Sequence, residues 1–367
     1  MPDKFKNILF IALSSAVILG FLVLFIILPN TSYSFPERRI LAQKPKISEK
    51  DLLSGNYMNN FESYTLDQFP FRDSFRKIKA LSSKYVFLQM DNNGFYISNG
   101  HISKMEYPLN NDKLDRNISK IIEIYNFYLS ETDCDIYFSV VPDKNFFLAP
   151  VDGYLSMDYK AITDKMKNKL SFAEYIDIFG ALSLDDYYKT DPHWKQENIL
   201  SIAQIIAEKV GTNINESFIE KTTEVPFYGA YYGQAALDFE PDTLKYLTND
   251  AIKNCTVTSY NNGSPVIVPF YNMEKATGKD PYEMYLNGSD ALLTIENPNS
   301  EANRELVIFR DSFGSSLAPL LVSGYSKITL IDLRYIKSDL IKNFVSFENQ
   351  DVLFLYSTLV LNNTITQ

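Results

Sequence analysis

The chain is 367 residues long, enough for one large domain or two medium ones, with a net charge of −10 and an aromatic-rich composition of 25 Tyr and 26 Phe. No Lys/Arg-rich run follows the N-terminus, which argues against a nucleic-acid partner, and two histidines in all exclude a His-rich metal site. Cys134 and Cys255 stand far apart. The position of Cys134 at the start of an expected strand favours buried thiols over a disulfide, a choice the sequence leaves open.

The segment from Ile8 to Leu28 is uncharged and almost wholly apolar. About 20 residues rising ~1.5 Å each cross a hydrocarbon core of ~30 Å. Lys4 and Lys6 precede the run, which favours a cytoplasmic N-terminus and an exported remainder. The run is longer than the apolar region of a cleaved signal peptide, and no clear small-x-small site precedes Pro29. Residues 1–29 are therefore expected to be a cytoplasmic tip and a transmembrane signal anchor at the cell membrane. Residues 30–50 look like a polar tether, and residues 51–367 are expected to form one extracytoplasmic α/β domain.

Within that domain, Asp67-Gln-Phe-Pro-Phe-Arg-Asp-Ser-Phe75 leads into a helical pattern through Tyr85. Asn92-Asn-Gly94, between the β-prone runs Val86 to Met90 and Phe95 to Ile97, predicts a hairpin. An amphipathic helix is expected at about 111–129, a buried strand from Asp135 to Val141, a helix at about 159–170 and a short strand around 175–178. The loop Tyr187-Tyr-Lys-Thr-Asp-Pro-His-Trp194 opens onto a helix at about 197–210. From about 215 to 303 the pattern is irregular and aromatic, and is read as a β-rich insertion or long loops covering the site. The final stretch alternates strands (Leu306 to Phe309, Ile328 to Leu333, Val352 to Tyr356) with helices, which implies a parallel sheet with helices on both faces.

The strand Leu306 to Phe309 ends in Arg310-Asp311-Ser312-Phe313-Gly314, after which small and apolar residues resume at helical spacing. A tight strand-to-helix turn exposes a side chain at the strand's end and adds the free N–H groups of a helix start, so Ser312 is a candidate nucleophile. A hydroxyl needs a base. His193 is the natural partner, because Asp191, two residues before it, can accept its Nδ1–H across an extended dipeptide whose geometry Pro192 restricts. The second histidine, His101, has no neighbouring acid and reads as a surface turn residue. Phe-Arg-Asp-Ser-Phe occurs twice, at 71–75 and 309–313; the first copy leads into a charged helix, so Ser312 is preferred over Ser74, and Ser315 and Ser316 read as helix residues. Candidate oxyanion or substrate groups are the amides of Ser312 with Phe313 or Gly314, and the side chains of Arg310, Lys144 and Tyr356 at carboxyl ends of strands.

Several short segments carry a resemblance to the DHHW family of exported bacterial proteins: Phe69-Pro-Phe-Arg-Asp73, Asn93-Gly-Phe-Tyr-Ile97, Val140-Val-Pro-Asp-Lys144, Thr190-Asp-Pro-His-Trp194, Tyr228-Gly-Ala-Tyr-Tyr-Gly233, Phe309-Arg-Asp-Ser-Phe313 and Ile331-Asp-Leu-Arg-Tyr335. That family looks related to the alginate O-acetylation proteins AlgJ and AlgX. The resemblance implies an SGNH hydrolase-like α/β fold and a triad of Asp191, His193 and Ser312. Pro192 stands where the family's name motif has its first His, which argues against a role for that position. The expected function is O-acetylation of a cell-surface polysaccharide through an acyl-enzyme, with a membrane-bound O-acyltransferase as acyl-donor partner and no cofactor. A carbohydrate esterase using the same triad and a non-catalytic glycan- or partner-binding assembly protein are the alternatives.

Overall fold

The computed structural model describes residues 3–214, 216–261 and 263–363; the ends of the expected segments at 1–2 and 364–367, and positions 215 and 262, lie outside it. The described chain falls into two compact units. One comprises the chain up to Asn92 together with Gly233–Asp238, the other Asn93–Tyr232 together with the chain from Phe239 onward.

In the first unit a helix spans Asp3–Ile27, 25 residues with none buried, long and apolar enough to cross a membrane. Helices Glu49–Ser54, Asn56–Asp67 and Arg72–Leu81 follow. Gly55, at φ 78°, ends the first of these and starts the second, a left-handed conformation that glycine adopts without a Cβ clash. Part of residues 30–50, which the sequence suggests as a tether, is fastened. The Asp67 carboxylate accepts from Arg39 and from the Ala42 amide, each at 2.8 Å, and Leu41 is buried.

The second unit is built on an eight-stranded sheet. In chain order its strands are β1 (Asp135–Val141), β2 (Glu174–Tyr175), β3 (Thr256–Ser259), β4 (Val266–Val268), β5 (Leu292–Glu296), β6 (Glu305–Arg310), β7 (Lys327–Ile331) and β8 (Asp351–Ser357). Across the sheet they run β4-β3-β5-β7-β6-β8-β1-β2, with β7, β6, β8, β1 and β2 parallel and β5, β3 and β4 antiparallel. The central strands are apolar on both sides because both faces are covered. Helices Phe313–Leu321 and Leu200–Lys209 pack on Leu306, Ile308 and Leu353 of one face. Helices Asn111–Ile124 and Tyr159–Lys169 pack on Val307, Phe309 and Phe354 of the other. This is the expected α/β sheet flanked by helices.

Several local expectations are corrected. The hairpin pairs Phe95–Ser98 with His101–Lys104 through a turn at Asn99 (φ 45°) and Gly100 (φ 71°), rather than with Val86 to Met90. Ser82–Val86 instead continues the preceding helix as a π-helical turn. The 215–303 region does not merely cover the site. Its strands β3, β4 and β5 extend the central sheet, while Ile219–Phe227 and Asp242–Thr248 form a separate antiparallel ladder. The helix expected between the last two strands is a short 3-10 turn, Ser338–Asn343. His101, expected on the surface, is buried at the start of its strand with Nδ1 3.1 Å from the Asn99 carbonyl. Cys134 and Cys255 are free thiols.

Candidate active site

Strand β6 delivers its last residue, Arg310, into the sheet, and helix Phe313–Leu321 starts three residues later. Asp311 makes the turn rigid. Its carboxylate is fully buried; one oxygen accepts the Phe313 amide at 3.0 Å and the other accepts the Ser357 amide and hydroxyl at 2.8 and 2.6 Å, tying β6 to the end of β8. Ser312, between these anchors, has an ordinary right-handed backbone (φ −61°, ψ −22°), so it is presented without strain.

The facing loop is closed on itself. Tyr187 bridges Trp194, and the Tyr188 amide donates to the His193 carbonyl at 3.1 Å. Asp242 holds the loop from one side, accepting the Lys189 amide at 2.8 Å and the Thr190 amide and hydroxyl at 2.8 and 2.6 Å. Lys144 holds it from beneath, donating to the carbonyls of Tyr188 and Lys189 at 2.9 and 3.1 Å. The Asp191–His193 segment is a bend rather than the extended dipeptide the sequence suggests. One Asp191 oxygen accepts both the backbone amide of His193 at 3.1 Å and its Nδ1–H at 2.6 Å, so a local Asx-type turn brings the ring onto the carboxylate. The other oxygen accepts the Ala230 amide at 2.8 Å. Gly229 lets that amide approach: a Cβ there would sit 2.4 Å from the Thr190 carbonyl oxygen and from Asp191 Cβ.

The two halves meet at hydrogen-bond distance. His193 Nε2 lies 2.6 Å from Ser312 Oγ, completing the line Asp191–His193–Ser312. With Nδ1–H engaged by a fully buried carboxylate, Nε2 is the free lone pair that can take the serine proton. The imidazole is fixed from its faces as well as its edge. Tyr282 stacks on it at 3.8 Å and 8°, and Phe313 lies 4.9 Å away. The next residue, Trp194, donates from its indole to Ser316 Oγ at 2.8 Å, and the Tyr282 hydroxyl is 2.7 Å from the same oxygen.

The remaining sequence candidates lie elsewhere. The amides of Phe313 and Gly314 are both engaged by Asp311, through its carboxylate at 3.0 Å and its carbonyl at 3.1 Å, so of the three proposed oxyanion donors the Ser312 amide alone has no acceptor among the described residues. Gly314 has a steric role: a Cβ would lie 2.7 Å from Arg310 Cβ. Arg310 is 1% exposed, donates to the Gly288 carbonyl at 3.2 Å and lies 3.8 Å from Asp332, so its guanidinium is turned into the protein. Tyr356 packs with Phe309 and Phe354 on the opposite face of the sheet from Trp194 and Phe313. Lys144 is buried under the loop, where desolvation pushes its ammonium down to about 7 against the pull of the Asp191 and Asp242 carboxylates. The residues missed from sequence are those bracing the triad: Asp242, Ala230, Tyr282 and the carboxylate of Asp311. The segment Tyr228-Gly-Ala was among those carrying the resemblance, and the Gly229–Asp191 contact accounts for its glycine.

An α/β sheet with an Asp–His–Ser line at the carboxyl ends of its parallel strands defines the class. No protein-family model matches the chain, and no curated protein matches it in sequence. Solved structures do share the fold. A DHHW family protein from Eubacterium siraeum aligns over 74% of this chain and 93% of its own, with TM-score 0.61 and 21% identity. PatB1 from Bacillus cereus aligns over 75% and 99%, with TM-score 0.56 and 17% identity, and was also solved with a sulfonyl adduct. The O-acetyltransferase domain of Pseudomonas putida AlgJ aligns more loosely, at TM-score 0.43 and 13% identity over 74% of this chain and 92% of its own. The chain thus has the fold of a DHHW family protein.

Proposed function

We propose that the protein is a membrane-anchored, extracytoplasmic O-acyltransferase that moves an acetyl group onto a hydroxyl of a cell-surface polysaccharide through an acyl-enzyme on Ser312. The observation that carries this reading is the unbroken line from buried Asp191 through His193 to Ser312, each link 2.6 Å long. His193 Nε2 removes the Ser312 proton as Oγ attacks the acyl carbonyl; Asp191 stabilises the imidazolium that forms. The oxyanion gains the Ser312 amide. Collapse of the tetrahedral intermediate returns the proton from His193 to the leaving group and leaves the acetyl ester on Ser312. A sugar hydroxyl then repeats the sequence, its proton passing to His193 and finally back to Ser312 Oγ. Acetyl-CoA is cytoplasmic, so a membrane-bound O-acyltransferase partner hands the acyl group across to this domain. Water in place of the sugar would make the same triad an esterase.

The test uses p-nitrophenyl acetate as acyl donor, with and without an oligosaccharide acceptor. Acetylated oligosaccharide in the mass spectrum is the expected result. Release of p-nitrophenol with no acetylated sugar supports the esterase reading. Equal behaviour of wild type and Ser312→Ala in both assays would end the catalytic reading. A sulfonyl fluoride should label Ser312 and leave the Ser312→Ala variant unmodified.

A further inference from the structure

The proposed reaction leaves unexplained an apolar surface on the unit that carries the N-terminal helix. Helix Arg72–Leu81 runs through the turn Ser82–Val86 into Phe87-Leu-Gln-Met90. Five of the six residues from Tyr85 to Met90 are large and apolar, and their exposures run from 58% at Met90 to 79% at Leu88. Leu88 also holds a left-handed backbone, φ 51°, which a bulky side chain rarely adopts. Phe69, Phe75 and Ile78, just upstream, are exposed as well. A soluble surface scatters such residues singly; a contiguous set marks a contact.

Two observations say what covers it. Phe21 of helix Asp3–Ile27 stacks on Phe69 at 5.3 Å and meets Phe75 edge-on at 5.7 Å, while Phe25 meets Tyr64 at 5.5 Å. These contacts fall in the last two turns of that helix, and Phe21 lies about 9 Å along the axis from its end. A bilayer that holds the helix therefore reaches the depth of Phe69 and Phe75. The second observation is charge. Lys77, Lys79 and Lys84 are interleaved with Phe75, Ile78 and the 85–90 run, the pairing of cationic and apolar side chains found in segments that lie in a membrane interface. Their stems can cover apolar surface; the Lys77 ammonium is paired with Asp238 at 2.7 Å, while that of Lys84 lies 5.2 Å from the Tyr85 ring, at the start of the apolar run where anionic headgroups would meet it.

We propose that residues 69–90 lie in the leaflet from which helix Asp3–Ile27 emerges, with Tyr85 to Met90 inserted at the acyl-chain boundary, as a second membrane contact beside the span. This rests on the membrane-spanning reading of Asp3–Ile27 and is independent of the chemistry at Ser312.

The chain's single native tryptophan, Trp194, is fully buried and makes a built-in control. Full-length protein carrying Phe87→Trp, and separately Tyr85→Trp, would be reconstituted with vesicles of phosphatidylcholine and phosphatidylglycerol, plain or brominated on the acyl chains. The expected result is blue-shifted emission from the introduced tryptophan, quenched by about twofold in brominated vesicles, with parent Trp194 emission unchanged. Emission at the wavelength of hydrated indole, quenched by aqueous iodide, overturns the proposal. So does blue-shifted emission insensitive to bromine, which would mean that a protein surface covers the patch. Flotation separates the layers of the argument: protein left in solution removes both the span and this contact, whereas floating protein with unquenched tryptophan removes this contact alone.

Discussion

The pentapeptide Phe-Arg-Asp-Ser-Phe folds in two ways in this molecule. At 71–75 it opens a helix: Phe71 takes a left-handed backbone at φ 59°, Arg72 pairs with Glu37, Asp73 faces solvent beside Arg76, and Ser74 is exposed. At 309–313 the first two residues finish a buried strand, Asp311 is sealed between Phe313 and Ser357, and Ser312 meets His193. Local propensity is the same for both copies, so the difference comes from what lies on either side. An apolar run before 309–313 places it between two parallel neighbours, β7 and β8, whereas a Pro-containing polar stretch before 71–75 cannot join a sheet. The lesson is that a short motif acquires chemistry from its burial and its partners.

The largest effect should separate the two serines. Ser312→Ala should lower acyl turnover from p-nitrophenyl acetate by at least roughly 10³-fold, and Ser74→Ala should leave it unchanged. Equal losses, or none, would erase the contrast. Next comes the brace behind the histidine. Gly229→Ala puts a methyl group against Thr190 and Asp191 and should cost roughly 10²-fold in kcat with KM nearly constant, while Gly180→Ala, with open space around it, should have no effect.

Burial also sets a pH dependence elsewhere in the sheet. Asp143, at the end of β1, is buried and desolvation pushes its carboxyl up to about 6, although Thr358, Tyr159 and the Asn145 amide all bond it. Its unfolded value is near 3.9, so between about 4 and 6 the folded state binds more protons than the unfolded one. Stability therefore falls as pH rises through that window, by roughly 3 kcal/mol for this group above it. Asp143→Asn should flatten the Tm–pH profile measured by calorimetry. The smallest effect concerns the matched aspartates. Asp311→Asn strands one of the three donors now satisfied and should cost about 1–3 kcal/mol in urea unfolding, against about 0.5 kcal/mol or less for Asp73→Asn. Similar values for both would mean that the turn at 311 is not the rigid element described above.

Much of this was legible in the residues. The strand from Asp135 to Val141 is found with the expected limits, since a largely apolar run at strand length fits a strand between two covered faces. Ser312, His193 and Asp191 were identified because few residues offered a base and one of them had an acid at hand. The bracing residues were not legible. Tyr282 comes from an irregular stretch with no periodicity, and it reaches His193 only because strands β3 and β5 carry the 256–296 region onto the sheet edge. Strands of three to five residues leave too short a pattern to announce that pairing. The side-chain oxyanion candidates failed for a related reason: spacing put Arg310, Lys144 and Tyr356 at strand ends, but alternation and burial decide which way a side chain turns.

By itself the sequence determined the class of layer, the order of the central strands' apolar runs and an apolar helix long enough to span a bilayer, because hydrophobic periodicity and length are properties of the chain alone. Tertiary structure decided which of two identical pentapeptides holds a hydroxyl against an imidazole. That choice depends on residues 119 positions apart meeting at 2.6 Å, and such a meeting is fixed by packing and by buried hydrogen bonds to the Asp242 and Asp311 carboxylates and from the Ala230 amide.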